Sequence, residues 1–78
     1  MKIEIITPDK KLYEGNVKSA VFPGSEGSFG ILNNHAAMIA TLTKGNIELI
    51  EESNNKQEFQ IKGGVVEVNK NNVIVLAE

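Results

Sequence analysis

The chain has 78 residues, of which 41% are hydrophobic, and its ten acidic and eight basic residues give a formal net charge of −2. This length predicts one domain with a small core, and the absence of cysteine excludes disulfides and thiolate metal sites. All the basic residues are lysines, and the lack of arginine argues against nucleic-acid binding. No apolar run reaches the roughly 18–20 residues of a membrane span, so we expect no direct membrane insertion.

The first half of the chain is predicted to form short β-strands, because isoleucine and valine are abundant and Asn, Gly and Pro recur about every eight to twelve residues. The first strand is "KIEII", and a turn follows at "TPDKK". Two strands, "KLYEG" and "NVKSAVF", are predicted to form a hairpin that turns near Gly15 and Asn16. A further short strand, "GSFGIL", follows the first glycines.

The second half also favours strands. "HAAMIATL" has alanine, methionine and leucine, which suit a helix, but the β-branched Ile39, Thr41 and Thr43 and the early stop at Gly45 favour a strand. The segments "NIELIEES" and "QEFQIKG" are predicted to form a hairpin through "NNK", and "VVEV" and "VIVLA" another through "NKNN". The sequence therefore predicts an all-β fold, a two-sheet sandwich, in a single domain over residues 1–78.

The last strand has two apolar faces. Alternation puts Val73, Val75 and Ala77 on one face and Ile74 and Leu76 on the other. Because both faces are apolar, we expect neither to be exposed to bulk water. A second sheet covers one face, and the other needs a neighbour within the fold or a protein partner.

The segment "PGSEGSFGILNNH" contains three glycines at intervals of three residues. A phosphate cradle does not fit, because Gly24, Gly27 and Gly30 do not match the Gly-x-Gly-x-x-Gly order and Glu26 would repel phosphate. We predict turns or bulges at these glycines.

No catalytic, cofactor-binding or metal site is predicted. His35 is the only histidine and Asp9 the only aspartate, and no nucleophile elbow accompanies the serines. His35 is expected either to bond to nearby main chain or to contact a partner. Glu51 and Glu52 face opposite ways in a strand, so we interpret them as a solvated edge rather than an acid–base pair. The four aromatic residues are predicted in the core or an interface: Tyr13, Phe22, Phe29 and Phe59.

Three longer segments of the sequence resemble the motifs of a known protein family. "FPGSEGSFGILNNHAAMIATLTKGNIEL" resembles the signature of the epsilon subunit of the F-type ATP synthase, which is equivalent to the mitochondrial delta subunit. The shared pattern is Gly-Ser-Glu-Gly, then Gly-Ile/Val, then a histidine followed by alanine, then a Lys/Pro-Gly turn. "GGVVEVNKNNVIVLAE" is similar to the second signature of that family, and "TPDKKLYEG" suits its opening. The resemblance spans essentially the whole chain.

The resemblance implies a flattened sandwich of about ten short strands that performs no catalysis itself. Such a domain belongs to the central stalk, or rotor, where it docks on the gamma subunit and on the ring of c subunits. It would couple proton-driven rotation to ATP synthesis at catalytic sites on the beta subunits. The implied location is peripheral, on the cytoplasmic face of the bacterial inner (plasma) membrane.

The resemblance also implies two sets of contact residues. The loop expected to face the c-ring comprises Ser25, Glu26, Gly27 and Ser28. The residues expected to face gamma are Thr7, His35, Met38 and Ala40. Two departures affect these sets: Asn33-Asn34 stands where the family has Pro-Gly, and Ser28 stands where many relatives have an acid. Asparagine tolerates left-handed geometry, so we expect the turn before His35 to persist.

Long relatives continue into a two-helix C-terminal domain that can inhibit ATP hydrolysis and in some cases binds ATP. The sequence stops at Glu78, either because the chain is naturally short or because it was truncated. We therefore expect this domain to be absent, and with it both inhibition and nucleotide binding. Two alternatives stay open. One is a free-standing β-sandwich module that binds a peptide at a sheet edge, and the other is a small enzyme or ligand carrier. Co-purification with gamma and membranes would separate them.

Overall fold

The computed structural model describes residues 1–78, which form eight β-strands and no helix. The strands are β1 (Lys2–Ile6), β2 (Lys11–Phe22), β3 (Phe29–Leu32), β4 (His35–Leu42), β5 (Gly45–Glu51), β6 (Lys56–Ile61), β7 (Gly64–Lys70) and β8 (Asn72–Ala77). The predicted all-β class is confirmed, and "HAAMIATL" is a strand rather than a helix. No segment of the structure is an apolar helix that could cross a membrane.

The strand count is eight rather than about ten, and β2 is one reason. The predicted hairpin near Gly15 and Asn16 is wrong, because β2 runs unbroken through both residues. Its first half, up to Asn16, pairs with β1, and its second half, from Val17 onward, pairs with β3 and β5. The Gly-Asn pair therefore lies where one strand passes from one sheet to the other. A glycine fits here because the Tyr13 ring covers it, and a Cβ on Gly15 would lie only 2.7 Å from the Tyr13 hydroxyl oxygen.

Two sheets share β2. The first has the order β4-β7-β8-β1-β2, and in the second β2 lies between β3 and β5 with β6 outside β5. The predicted hairpins β5–β6 and β7–β8 are confirmed as antiparallel pairs. Only β1 and β8 pair in parallel. Thus β4 and β6 stand at the two ends of the strand path.

The core lies between the sheets and consists of the inward-facing side chains of both, among them Ile3, Val17, Phe22, Leu49 and Val66. No polar or charged residue is buried. Burial of these apolar side chains, at about 25 cal/mol per Å² of area removed from water, is the main stabilising contribution to the fold.

The last strand shows where one expectation fails. Val73, Val75 and Ala77 are buried as predicted, but Ile74 and Leu76 are 38% and 57% exposed. The prediction that neither face of β8 meets water is therefore wrong for the isolated chain. The reason is topological, because nothing in this fold covers the outer face of the first sheet.

Two pairs of aromatic side chains pack in or against the core. Phe22 is fully buried and its ring centroid lies 5.6 Å from that of Phe29, and the Tyr13 and Phe59 centroids are 5.4 Å apart. The predicted core role of these rings is confirmed. The Tyr13 hydroxyl donates a hydrogen bond of 2.6 Å to Glu51 Oε2. Burial, reinforced by this bond, raises the pKa of Tyr13 to about 12. Glu51 is accordingly half-buried and bonded rather than part of a freely solvated edge.

Candidate docking surface

The glycine-rich loop lies along the edge of β4. Ser25 N–H donates to the Thr41 carbonyl at 3.0 Å, and Thr43 N–H donates to the Pro23 carbonyl at 2.8 Å. Gly24 and Leu42 form the isolated β-bridge between these two bonds. The loop therefore extends the first sheet by a short length beyond β4.

Two of the three glycines shape the loop as the sequence predicts, but the turn or bulge predicted at Gly30 is wrong, because Gly30 lies in β3 in regular pairing with β2. Gly24 is buried, and a Cβ there would lie 2.5 Å from the Gly27 carbonyl oxygen and 2.8 Å from the Phe29 ring. Gly27 has a φ of 126°, which side-chain-bearing residues rarely adopt. The loop closes through a bond from Gly27 N–H to the Gly24 carbonyl at 3.0 Å. The close approach at Gly24 leaves no room for a side chain there, and the backbone angle disfavours a side chain at Gly27.

The exposed side chains of the loop are Ser25, Glu26 and Ser28. Glu26 forms no ion pair within the chain. Ser28 Oγ lies 3.4 Å from the Phe22 carbonyl oxygen, a long hydrogen bond. The carboxylate at the tip is consequently free to bind a cation supplied from outside.

Next to the main-chain bonds between the loop and β4, a cavity of about 480 Å³ lies between the loop and the preceding part of β4. Its walls are residues 24–29 on one side and residues 38–41 on the other. The structure thus brings the four predicted c-ring residues next to Met38 and Ala40, two of the four predicted gamma residues. Met38 and Ala40 are half-buried and pack against the core from the rim of this cavity.

His35 lies at the opposite end of β4. Its Nδ1 is 2.8 Å from the Ala36 carbonyl oxygen, the local main-chain bond that the sequence predicts. The turn before it is preserved, because Asn34 has a φ of 62°. Asn34 and Asn71 are bound to each other twice: Asn71 Oδ1 accepts from Asn34 N–H at 2.7 Å, and Asn71 Nδ2 donates to Asn34 Oδ1 at 2.8 Å.

Thr7 is far from the other predicted gamma residues. It follows β1, which is separated from β4 by β8 and β7, a distance of about 14 Å across three strand spacings. Its hydroxyl donates to the Lys10 carbonyl at 3.0 Å within a turn. Thr7 instead lines another cavity, together with Val65 and Leu76 of the outer apolar face.

Two residues of this surface were not singled out from the sequence. Ile39 is 70% exposed, the largest exposure among the large apolar side chains of the fold. Glu67 pairs with Ile39 across β4 and β7, and both line a second, more open cavity of about 490 Å³. Alternation counted back from a buried Leu42 would have placed the Ile39 side chain outside. The position of Glu67 beside Ile39 could not have been found in this way, because it depends on the register between β4 and β7.

This surface is suited to recognition. No group of three or more His, Asp or Glu side chains is arranged to hold a metal ion. The only charged residues that line the two cavities are single exposed carboxylates, Glu26 and Glu67, set among small or apolar side chains. Such a surface can bind a cationic, partly apolar segment of another molecule.

Comparison with known proteins identifies the family. The model of the beta-sandwich domain of the ATP synthase delta/epsilon chain matches residues 1–78. The chain belongs to this family. It is 42% identical over 78 residues to the ATP synthase epsilon chain of Leptospira interrogans, and 45% identical to that of Helicobacter pylori strain Shi470. Both alignments cover all of this chain, but only 61% and 63% of those relatives' lengths. The predicted resemblance is confirmed.

Two solved structures share the fold. One, from the OSCP/F1/c-ring part of the Euglena gracilis mitochondrial ATP synthase, matches with a TM-score of 0.89 at 23% identity, covering 96% of this chain and 48% of that one. Another, from the central stalk and c-ring of the Tetrahymena thermophila mitochondrial ATP synthase, matches with a TM-score of 0.79 at 24% identity, covering 99% and 62%. At such identities the likeness shows that the sandwich architecture is common to all three.

Proposed function

We propose that these residues are a non-catalytic part of the rotor of an F-type ATP synthase, docked on gamma and on the c-ring. In this role the domain couples proton-driven rotation to ATP synthesis on other subunits. Family membership over the whole chain supports this proposal. So does the origin of one matched structure, which comes from a central stalk and c-ring assembly.

One observation carries the proposal: the glycine-rich loop and β4 line the same cavity. Residues expected at the c-ring (Ser25, Glu26, Gly27, Ser28) and at gamma (Met38, Ala40) are therefore neighbours. A domain held between two partners needs contact surfaces that adjoin, so that force on one is passed to the other through a rigid element. Hydrogen bonds from the loop to Thr41 and Thr43 provide that rigidity.

At the c-ring, we assign Glu26 the role of pairing with a basic side chain. It is exposed and has no partner within the chain. Rim charges of this kind fix register and accelerate association more than they add affinity. Ser25 and Ser28 offer hydroxyls on either side, and Gly27 lets a partner approach the main chain closely.

At gamma, we assign the contact to the length of β4, with Met38 and Ala40 at its centre and His35 at its end. Thr7 belongs to a separate contact, because it lies about three strands away. The whole docked area would have to exceed roughly 1,000 Å² for a specific, stable interface. On this proposal the domain is peripheral at the cytoplasmic face of the bacterial plasma membrane.

The test is reconstitution of the complete ATP synthase with Glu26→Ala, beside Glu58→Ala as a matched control on exposed β6. We expect Glu26→Ala to slow assembly on the c-ring and to lower ATP synthesis driven by a proton gradient, whereas Glu58→Ala leaves both unchanged. Equal values for the two variants would remove the c-ring assignment. Full coupled synthesis by a complex that lacks this domain would overturn the proposal as a whole.

A further inference from the structure

The free edge of β4 has main-chain groups with no partner. Along a strand, successive residues point their N–H and C=O groups to opposite edges. Thr41 and Thr43 direct theirs toward the glycine-rich loop, which bonds to the Thr41 carbonyl and the Thr43 N–H. Ile39 has the same parity, so its N–H and C=O face the same edge, beyond the end of the loop. No main-chain hydrogen bond reaches Ile39 there.

This edge lacks the usual protection against strand pairing. Exposed edges are normally blunted by charges, proline or shortness. Residues 36–41 contain neither a charge nor a proline. On β6, the strand at the other end of the path, the corresponding position is Glu58, and Lys56 lies two residues before it. The short β3 has only four residues.

The open length of edge is bounded at both ends. The loop occupies it from Thr41 onward. A bulge between His35 and Met38, where β4 has one residue more than β7, disrupts it at the other end. What remains is centred on Ile39 and is about three residues, or roughly 10 Å, long. That length suits a short extended segment.

Charge on the two sides of β4 indicates the kind of segment. The cavity between the loop and β4 contains Glu26, and the cavity on the outer face contains Glu67. A strand added at Ile39 would point successive side chains to these two sides. A lysine or arginine on the outer side would reach Glu67, whereas Glu26 is already assigned to the c-ring.

We propose that the edge of β4 at Ile39 takes up an extended, lysine- or arginine-bearing strand of the gamma subunit through main-chain hydrogen bonds. The identity of the partner rests on the proposed function, whereas the mode of binding rests on the edge itself. Strand addition makes the loop, the bound segment and β4 parts of one sheet. It therefore transmits force through hydrogen bonds that cross the interface from β4 to the bound segment.

The experiment measures the affinity of purified gamma subunit for the subunit that contains these residues, with variants at matched edge positions. Ile39→Pro removes the edge-facing N–H but no bond to β7, and Ile39→Val keeps that N–H and most of the side chain. Glu58→Pro makes the same change on β6. We expect Ile39→Pro to weaken binding by about tenfold or more, with Ile39→Val and Glu58→Pro within about twofold of the original.

The outcomes separate the two proposals. Gamma binding that Ile39→Pro leaves intact, or that Ile39→Val weakens equally, would overturn strand addition while leaving the rotor function in place. Absence of gamma binding by the unchanged subunit would overturn both. Urea unfolding of each variant checks that the sandwich persists. If Ile39→Pro does not fold, Ile39→Glu takes its place, because a charge on the edge should weaken binding by a similar factor.

Discussion

The strands at the two ends of the sheet path, β4 and β6, differ in their edges although they are held in the same way. Each pairs with a single neighbour, β4 with β7 and β6 with β5. Each has one buried side chain, at its last residue: Leu42 in β4 and Ile61 in β6. Yet the exposed face of β6 carries Lys56 and Glu58, whereas that of β4 carries Ile39 and alanine.

The difference shows that the side chains of an edge strand, and not its position in the fold, determine whether the edge is protected against pairing with another strand. Charges on β6 prevent another strand from pairing with it. The same protection was available to β4 at Ile39, which is 70% exposed and contributes little to the core. An apolar residue that the fold does not require, on an edge with open main-chain groups, is what a binding surface needs.

The largest expected effect comes from loosening each edge strand. We expect Leu42→Ala and Ile61→Ala each to lower the free energy of unfolding by about 2–5 kcal/mol, because each removes the buried anchor of its strand. Urea denaturation of the two variants measures this. If Leu42→Ala were nearly neutral while Ile61→Ala was costly, β4 would be loosely attached, and its open edge would reflect fraying instead of a surface built for binding.

A smaller effect is expected in the loop that covers the end of β4. Gly24→Ala should lower the free energy of unfolding by about 1–3 kcal/mol, because its Cβ would collide with the Gly27 carbonyl oxygen. Gly27→Ala meets no atom within 4 Å, and only its φ is unfavourable, at a cost of about 1 kcal/mol. Thermal unfolding compares the two. The reverse order would contradict the described packing of the loop.

The β6 side can be probed by the titration of Tyr13, whose ring packs on Phe59. It is the only tyrosine and there is no tryptophan, so ultraviolet absorbance reports its ionisation directly. We expect a midpoint near pH 12 in the folded chain. Glu51→Gln should move the midpoint down toward 10, but not all the way, because burial remains the larger cause.

The same shift predicts the direction of alkaline unfolding. The pKa of Tyr13 is about 12 in the folded chain against an ordinary value of 10.0. Its contribution to stability is therefore complete below about pH 10 and is lost as pH rises toward 12. A Tyr13→Phe variant should lose stability less steeply over that interval. An identical decline in both chains would contradict the role of Tyr13.

The smallest effect on stability is expected when the two edges are exchanged. Ile39→Glu and Glu58→Ile should each change the free energy of unfolding by no more than about 0.5 kcal/mol, since both side chains are exposed. Their association should change in opposite directions. Sedimentation velocity at high concentration should show less self-association for Ile39→Glu and more for Glu58→Ile. No difference between them would mean that edge charge does not govern pairing in this sandwich.

Much of the fold follows from alternation within the sequence. The pattern of Val73, Val75 and Ala77 predicts the buried face of β8, and the Asn-rich turns predict both late hairpins. The unbroken path of β2 cannot be predicted from the sequence, because Gly15-Asn16 has the local chemistry of a turn. Whether a chain turns or crosses between sheets at such a pair depends on contacts with β1 and β5, which are distant in sequence.

The candidate site, too, could be predicted only in part from the sequence. The family motif indicates Glu26 and His35, and alternation from Leu42 is enough to place Ile39 outside. Neither reveals that Ser25 bonds to Thr41 or that Glu67 lies beside Ile39, because both depend on register between separate strands. The distance of Thr7 from β4 is likewise a consequence of strand order. Motifs identify residues, but pairing decides which of them act together.

The most direct test is amide hydrogen exchange at Ile39 in the free subunit and in the assembled rotor complex with gamma and the c-ring. The account predicts that the Ile39 N–H, unbonded in the free chain, exchanges at least about tenfold more slowly after assembly, while the edge-facing N–H of Glu58 is unchanged. Equal exchange at Ile39 in both states, or slowing at Glu58 in its place, would contradict docking through the edge of β4.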